Sequence, residues 1–253
     1  MTNQIQKASF GKRTAAWLFD LILTGILAVA FGVLISWLLG YDGYSQTLDQ
    51  AYAHYEQEYG VSFEMTLEQY EAMTEAEQAN YNAAYDALIA DEEAMYAYNM
   101  MISLTLVIVS IGILLALVLW EFIIPLWLGH GRTLGKKIFS LCLVRSDGVK
   151  MNTMQLFTRS ILGKYSIETM IPVLILLMIF WGTMGVIGPV VLFGLAAGQL
   201  ASVLFTRHNC AIHDLLAGTV VADYPSQTIF DSTEDLIEYQ KKLAADRAAR
   251  ATY

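Results

Sequence analysis

Charged residues are scarce in this sequence. Only 15% of its 253 residues are aspartate, glutamate, lysine or arginine, whereas 56% are hydrophobic. In soluble globular domains about a quarter of the residues are usually charged. The composition therefore argues against a soluble protein and indicates one that is embedded in a lipid bilayer.

Basic residues are absent from residues 41–100, a segment that contains 13 acidic residues. The other 11 of the 24 acidic residues share the rest of the chain with all 15 lysines and arginines. The net charge of −9 therefore comes from this one segment and does not describe the whole protein surface.

Charge is also nearly absent from three long hydrophobic runs. Residues 15–39 contain only Asp20, residues 101–128 contain only Glu121, and residues 170–205 contain no charged residue. About 20 helical residues, rising about 1.5 Å each, cross the hydrocarbon core of a membrane. The first two runs therefore predict one transmembrane helix each. We expect the first to be a retained anchor, because no small-residue cleavage site follows it.

The third run, with 36 residues, is too long for a single span. Residues that permit a chain reversal cluster near its middle and would allow two helices of about 18 residues each: Gly182, Gly185, Gly188 and Pro189. We therefore predict four transmembrane helices. The sequence alone leaves open whether residues 170–206 form two complete spans.

The acidic segment is expected to be helical. No proline occurs between positions 41 and 124, and Gly60 is the only glycine between positions 45 and 112. Thr66 with Gln69, and Thr74 with Glu77, have the spacing of capping boxes, so helices should begin at these threonines. The helix from Thr74 could run without a break into the second span. The acidic hairpin could collect cations, be merely solvated, or dock a partner protein.

Lysine and arginine near the ends of membrane spans stay on the cytoplasmic side. Here they precede the first span, follow the second and follow the last. We therefore expect a multi-pass protein of the plasma membrane with both termini in the cytoplasm and the acidic segment outside.

The basic segment between the second and third runs is expected to lie at the membrane surface. The glycines and lysines of "GRTLGKK" do not have the spacing of a phosphate-binding loop, which argues against nucleotide binding. Arg132, Lys136 and Lys137 are instead expected to contact anionic lipid head groups. "IFSLCLV" predicts a short strand or an interfacial segment, followed by a turn at Asp147 and Gly148. "TMQLFTRSILGKYSIETM" predicts an interfacial amphipathic helix.

The predicted fold is an all-α, polytopic membrane protein with four transmembrane helices, a helical extracytoplasmic insertion and an interfacial amphipathic segment. In chain order, the predicted segments are 1–40 (cytoplasmic N-terminus and first span), 41–100 (insertion), 101–128 (second span), 129–169 (basic interfacial segment), 170–206 (third and fourth spans) and 207–253 (cytoplasmic C-terminal segment).

Three motifs in this sequence resemble the RDD family of membrane proteins. They are "GKRTAAWLFDLIL", "GRTLGKKIFSLCLVRSDGVKMNTMQLFTRSIL" and "RHNCAIHDLLAGTVVAD", in that order. The resemblance maps the arginine and two aspartates for which the family is named onto Arg13, Asp20 and Asp214. It implies a membrane architecture and a role in transport, which for some members is cation/proton antiport. The acidic insertion is longer than the usual family pattern, and the resemblance implies no role for it.

Asp20 and Glu121 form the candidate ion or proton site. An unpaired carboxylate at membrane depth costs about 2.5–3.5 kcal/mol, so each is expected to have a partner. The first two spans run in opposite directions, which places the two carboxylates at similar depth. If they are adjacent, they could exchange protons near neutral pH. Alternatively, Asp20 locks helix packing through an ion pair, and Glu121 faces Arg132 or Arg159.

No serine, cysteine or histidine constellation suggests catalysis, and we expect a non-enzyme without a cofactor. His208, Cys210, His213 and Asp214 are possible metal ligands. Four ligands within seven residues cannot all converge on one ion from a single helix, so no metal is expected. Asp214 is more simply explained as a partner of Arg13.

The leading functional hypothesis is a small transport-related membrane protein that exchanges monovalent cations and protons through its intramembrane carboxylates. It should form a homo-oligomer, because four helices enclose little room for a pathway. Membrane lipids are expected partners, and nucleic acids are not. The competing hypothesis is a non-transporting scaffold or assembly factor whose acidic hairpin binds an extracytoplasmic protein.

Overall fold

The computed structural model describes residues 5–251; residues 1–4 and 252–253, at the ends of the first and last predicted segments, lie outside the described residues. Most of the described chain is helical, which confirms the predicted fold class. The chain divides into two compact units. The first contains the chain up to Ala28 and from Ile113 onward, and the second is Val29–Gly112.

The helices are α1 (Phe10–Leu39), α2 (Tyr41–Tyr59), α3 (Leu67–Glu71), α4 (Glu75–Ala90), α5 (Glu92–Leu128), α6 (Leu134–Ile138), α7 (Thr153–Phe180), α8 (Ile187–Phe205), α9 (Ile212–Ala217) and α10 (Thr233–Ala251). The strands are β1 (Leu141–Arg145) and β2 (Thr219–Asp223). Four helices within the described residues, α1, α5, α7 and α8, are long and apolar enough to cross a membrane, as predicted.

Helix α7 begins earlier than the predicted third span. Residues 153–169, predicted to form a separate interfacial helix, are continuous with the apolar residues that follow them. The reason is that Arg159 and Ser160 are buried within the first unit and have partners there. The charged residues of this stretch therefore do not need the membrane surface to compensate them.

Two stretches of π-helix, Val118–Ile123 in α5 and Thr158–Met170 in α7, pack against each other. π-Helical turns are rare and occur frequently at functional sites. The hydroxyl of Ser160 donates to the backbone oxygen of Glu121 at 2.7 Å, which joins the two stretches. The pairing brings the charged side chains of both helices into the same part of the unit.

Helices α7 and α8 form the predicted hairpin. Gly182 and Gly185 adopt positive φ angles of 71° and 47°, which a glycine tolerates best. Gly188 must also be small, because a Cβ atom there would lie 2.5 Å from the side chain of Ile179. Gly182 and Gly185 therefore lie in the turn itself, whereas Gly188 and Pro189 lie at the start of α8.

Strands β1 and β2 form an antiparallel pair in which Leu141 is opposite Asp223. Sequence analysis predicted a strand near β1 and the following turn, but it did not predict β2. Cys142 lies in β1, and Cys210 belongs to the same buried cluster; both are free thiols. Burial raises the pKa of the Cys142 thiol to about 11.

The second unit contains the acidic insertion, which is helical as predicted. Both predicted capping boxes form, at Thr66 and at Thr74. The helix from Thr74 does not run unbroken into the second span, because it ends at Asp91. The Asp91 carboxylate instead accepts hydrogen bonds from the backbone N–H groups of Glu93 and Ala94 at the start of α5.

Candidate functional site

Nine ionisable side chains meet in the first unit around the N-terminal part of α1. Four are acidic, four are lysine or arginine, and one is histidine: Asp20, Glu121, Glu168, Asp214, Arg13, Lys136, Arg159, Lys164 and His213. We call this set the charged network. It is built from α1, α5, α6, α7 and α9.

Asp20 is buried and receives hydrogen bonds from a segment far away in the sequence. Its carboxylate accepts from the backbone N–H of Gly135 at 2.9 Å, the indole N–H of Trp120 at 3.1 Å, and the hydroxyl of Thr133. A Cβ atom on Gly135 would lie 2.6 Å from the backbone oxygen of Ala16. The glycine therefore lets the backbone of α6 approach α1 closely enough for the Gly135 N–H to bond Asp20.

Lys136 does not contact lipid head groups as sequence analysis predicted, because it is buried, with 6% of its surface exposed. Its ammonium lies 3.6 Å from Asp20 Oδ2 and 3.4 Å from Glu121 Oε2. The two carboxylates therefore share a lysine and do not form the pair of acids that sequence analysis considered. One positive charge between them removes the need for a shared proton.

Arg132 and Lys137, the other two residues predicted to contact lipid head groups, differ in their surroundings. The guanidinium of Arg132 lies 4.4 Å from the centre of the Tyr224 ring and donates to the backbone oxygen of Leu128 at 3.2 Å. Lys137 is exposed. Contact with anionic lipid remains a prediction for these two residues.

Glu121 is surrounded by three positive charges. Besides Lys136, its carboxylate accepts a hydrogen bond from the ammonium of Lys164 and lies 3.6 Å from Nη1 of Arg159. Only 3% of the Glu121 surface is exposed. Arg159, which sequence analysis named as one possible partner, contacts Glu121, whereas Arg132 forms its contacts elsewhere.

Asp214 pairs with the arginine of α7. The Nε of Arg159 donates to Asp214 Oδ1 at 2.8 Å, and Nη2 of Arg13 lies 3.9 Å from Oδ2. Burial by itself would raise the pKa of Asp214, but the positive charges of Arg159 and Arg13 outweigh it and hold that pKa well below its ordinary value. The three residues mapped by the family resemblance thus lie in one network, with Arg13 near Asp214 and not bonded to Asp20.

His213 connects Arg159 to Glu168. Its Nδ1 lies 2.6 Å from Glu168 Oε2, and its Nε2 lies 2.9 Å from Nη2 of Arg159. Because arginine only donates, Nε2 must accept, so the imidazole is neutral and its Nδ1–H donates to Glu168. Burial is the main reason why the pKa of His213 lies below its ordinary value, in spite of the nearby Asp214.

Sequence analysis did not assign Lys164 or Glu168 to a site. Arg159, Lys164 and Glu168 are spaced by five and four residues, about two turns of a π-helix, and therefore share one face of α7. The sequence feature that could have identified these residues is a set of charged side chains on one helix face next to a long apolar run. The π-helical geometry that aligns them was not visible in the sequence.

The charged network lines one end of a cavity of about 890 Å³ in the first unit. Apolar side chains form most of the remaining wall, among them Leu21, Ile113, Leu117, Ile167, Leu192 and Leu195. No group of three or more histidine, cysteine or carboxylate side chains within residues 5–251 is arranged to hold a metal ion.

In a comparison with protein families, the model of the RDD family matches residues 7–218 of this chain, which include all of α1 to α9 and every member of the charged network. A search of curated proteins and a search of solved structures each returned no match.

Proposed function

This chain belongs to the RDD family of membrane proteins, and we propose that it is transport-related and exchanges monovalent cations for protons at the charged network. The observation that carries the proposal is the position of Glu121. This carboxylate is buried on the wall of the cavity and contacts two lysines and an arginine.

The proposed exchange depends on the fact that lysine can release a proton more readily than arginine. Lysine can lose its proton in a protein interior, whereas arginine stays charged. When Lys164 is protonated, its ammonium occupies one side of the Glu121 carboxylate. When Lys164 is neutral, a monovalent cation can take that side, and the total charge around Glu121 does not change. Binding of the cation and release of the proton are thereby coupled one to one.

The other carboxylates position the network. Asp20 accepts three hydrogen bonds that fix α1 to the start of α6 and to α5. Asp214 is bonded to Arg159, which cannot release a proton. These residues therefore hold Glu121 and Lys164 in place and are not the groups that exchange.

We also propose the membrane context predicted from the distribution of basic residues. The protein lies in the plasma membrane with both termini in the cytoplasm, so the charged network is near the cytoplasmic face. A homo-oligomer supplies the rest of the ion pathway.

Purified protein reconstituted in vesicles tests the proposal. A sodium, lithium or potassium gradient should drive proton flux between about pH 6 and 9, because an ionisable group must change protonation in this range. Glu121→Gln should abolish the flux, since an amide does not balance the charge of a bound cation. Glu93→Gln, the same change on an exposed residue of the insertion, is the matched control.

A scaffold is the second candidate function, and the insertion favours it because it has 13 acidic residues and no lysine or arginine. Wild-type vesicles without flux under any of the three gradients would eliminate the exchanger and leave this alternative. The scaffold then requires that a basic extracytoplasmic protein binds the insertion in a salt-dependent manner.

A further inference from the structure

The cavity has two chemically different ends. One is lined by the charged network and the other by apolar residues from α1, α5 and α8, including Gly25, Leu117, Leu192 and Leu195. Its volume of about 890 Å³ lies within the range of about 300–1,000 Å³ that is common for small-molecule sites. This shape fits a molecule with one polar end and one apolar chain.

Arg159 has one hydrogen-bond donor with no acceptor. Its Nε bonds Asp214 and its Nη2 bonds His213, but Nη1 makes no hydrogen bond although only 2% of the residue is exposed. Oε2 of Glu121 lies 3.6 Å from Nη1, beyond hydrogen-bond distance. Buried donors in native proteins usually have a partner. Arg159 also lines the cavity, so a bound molecule could supply the missing acceptor oxygen.

The charges around the cavity determine whether the acceptor oxygen of the bound molecule is neutral or anionic. Four carboxylates face four permanently charged or ammonium side chains, and His213 is neutral, so the network has no net charge. An anionic head group near Arg159 would be repelled by the carboxylates of Glu121 and Asp214, which already neutralise that arginine. Burying a charge without a free counter-charge is unfavourable. A neutral oxygen, such as an ester carbonyl, avoids that cost.

We propose that this cavity binds a neutral amphiphile of the monoacylglycerol type. Its ester oxygen accepts a hydrogen bond from Nη1 of Arg159, and its acyl chain lies along the apolar wall between α1 and α8. This inference does not depend on ion exchange, because it rests on the neutral network, on the Arg159 Nη1 group that has no hydrogen-bond acceptor, and on the apolar wall. It is tested by binding, without any ion gradient.

The probe is a monoacylglycerol with a photoactivatable diazirine in its acyl chain, added to the purified full-length protein in detergent. Labelled residues are identified by mass spectrometry. We expect saturable labelling of cavity residues such as Leu117 and Leu195 that unlabelled monoacylglycerol competes away. A fatty acid with the same chain and diazirine should label these residues about tenfold less at equal concentration, a difference of about 1.4 kcal/mol in binding.

A cavity-filling variant avoids disturbing Arg159, whose loss would also break its bond to Asp214. Gly25 lines the cavity, and a Cβ atom there meets nothing within 4 Å, so Gly25→Leu should fold and occupy the space of the acyl chain. Gly194→Leu is the matched control, since this glycine is equally open but lies outside the cavity lining. Saturable labelling should be lost in Gly25→Leu and kept in Gly194→Leu.

Three results would overturn the proposal. The first is labelling that rises linearly with probe and is not competed, as expected for bulk lipid contact. The second is labelling confined to exposed residues outside the cavity, such as Val190 and Phe193. The third is equal labelling by the fatty acid or by the Gly25→Leu variant.

Discussion

The backbone N–H of Gly135 donates a hydrogen bond to the Asp20 carboxylate across 115 positions of sequence. The glycine is necessary, because a side chain there would collide with the backbone of α1 at Ala16. This contact explains why an aspartate stands in the first apolar run. Asp20 joins the first helix to the start of α6, and α6 also contributes Lys136 to the charged network.

Asp20 should tolerate asparagine better than leucine. Asparagine keeps one acceptor oxygen, so Asp20→Asn should lower the free energy of unfolding by about 1–3 kcal/mol. Asp20→Leu leaves Thr133, Trp120 and Lys136 without their acceptor and should not assemble. Thermal unfolding and size-exclusion chromatography in detergent measure both outcomes. Equal stability of the two variants would contradict the role given to this carboxylate.

Gly135→Ala should destabilise the protein although it adds only one methyl group. The new Cβ would lie 2.6 Å from the backbone oxygen of Ala16, so α1 must move, at a cost of about 1–3 kcal/mol. Gly25→Ala on α1 is the control, because its Cβ meets nothing within 4 Å. We expect a lower melting temperature only for Gly135→Ala. A similar melting temperature for both variants would show that α1 does not approach α6 this closely.

His213 should make stability depend on pH in mildly acidic solution. Its pKa is lower in the folded protein, mainly through burial, than in the unfolded chain, where it is about 6.5. The unfolded chain therefore binds a proton more readily below about pH 6.5, and stability falls as the pH decreases through this value. Above it, His213 is neutral in both states and contributes no pH dependence.

His213→Gln should flatten the dependence of melting temperature on pH between about pH 5 and 7. The glutamine amide can accept from Arg159 and donate to Glu168, as the neutral imidazole does. His54→Gln, on an exposed residue of the insertion, should leave the profile of the wild type unchanged. If the His213→Gln profile keeps the same slope as the wild type, another group is responsible for it.

The proposed orientation predicts which residues an impermeant thiol reagent reaches in intact cells. Cysteines placed at Gln46 and Glu75 should be labelled, and a cysteine at Ser226 should be labelled only after the membrane is opened. All three positions are exposed in their own units. Cys142 and Cys210 are buried and should give little background. Labelling of Ser226→Cys in intact cells would reverse the orientation.

Local features of the fold were predictable because neighbouring residues encode them. Threonine followed three residues later by glutamine or glutamate marked the starts of α3 and α4 correctly, and the length of the apolar runs gave the number of spanning helices. The glycines of the third run marked its turn for the same reason.

The site was less predictable because its contacts join distant segments. Lys136 and Lys137 are adjacent and chemically identical, yet only Lys136 is buried. Which of them points inward depends on where α6 begins, at the cap formed by Thr133, and on Asp20 in another helix. Strand β2 is defined by its pairing with β1, which lies more than 70 positions earlier in the chain, and not by its own short sequence.

In the proposed exchange, Lys164 releases the proton that a cation replaces at Glu121. Lys164→Arg isolates this step, because arginine keeps the positive charge beside Glu121 but does not release its proton. In vesicles with a sodium, lithium or potassium gradient, this variant should remain folded and show no proton flux, whereas Lys242→Arg, on an exposed residue of α10, should match the wild type. Flux through Lys164→Arg at the wild-type rate would contradict the account.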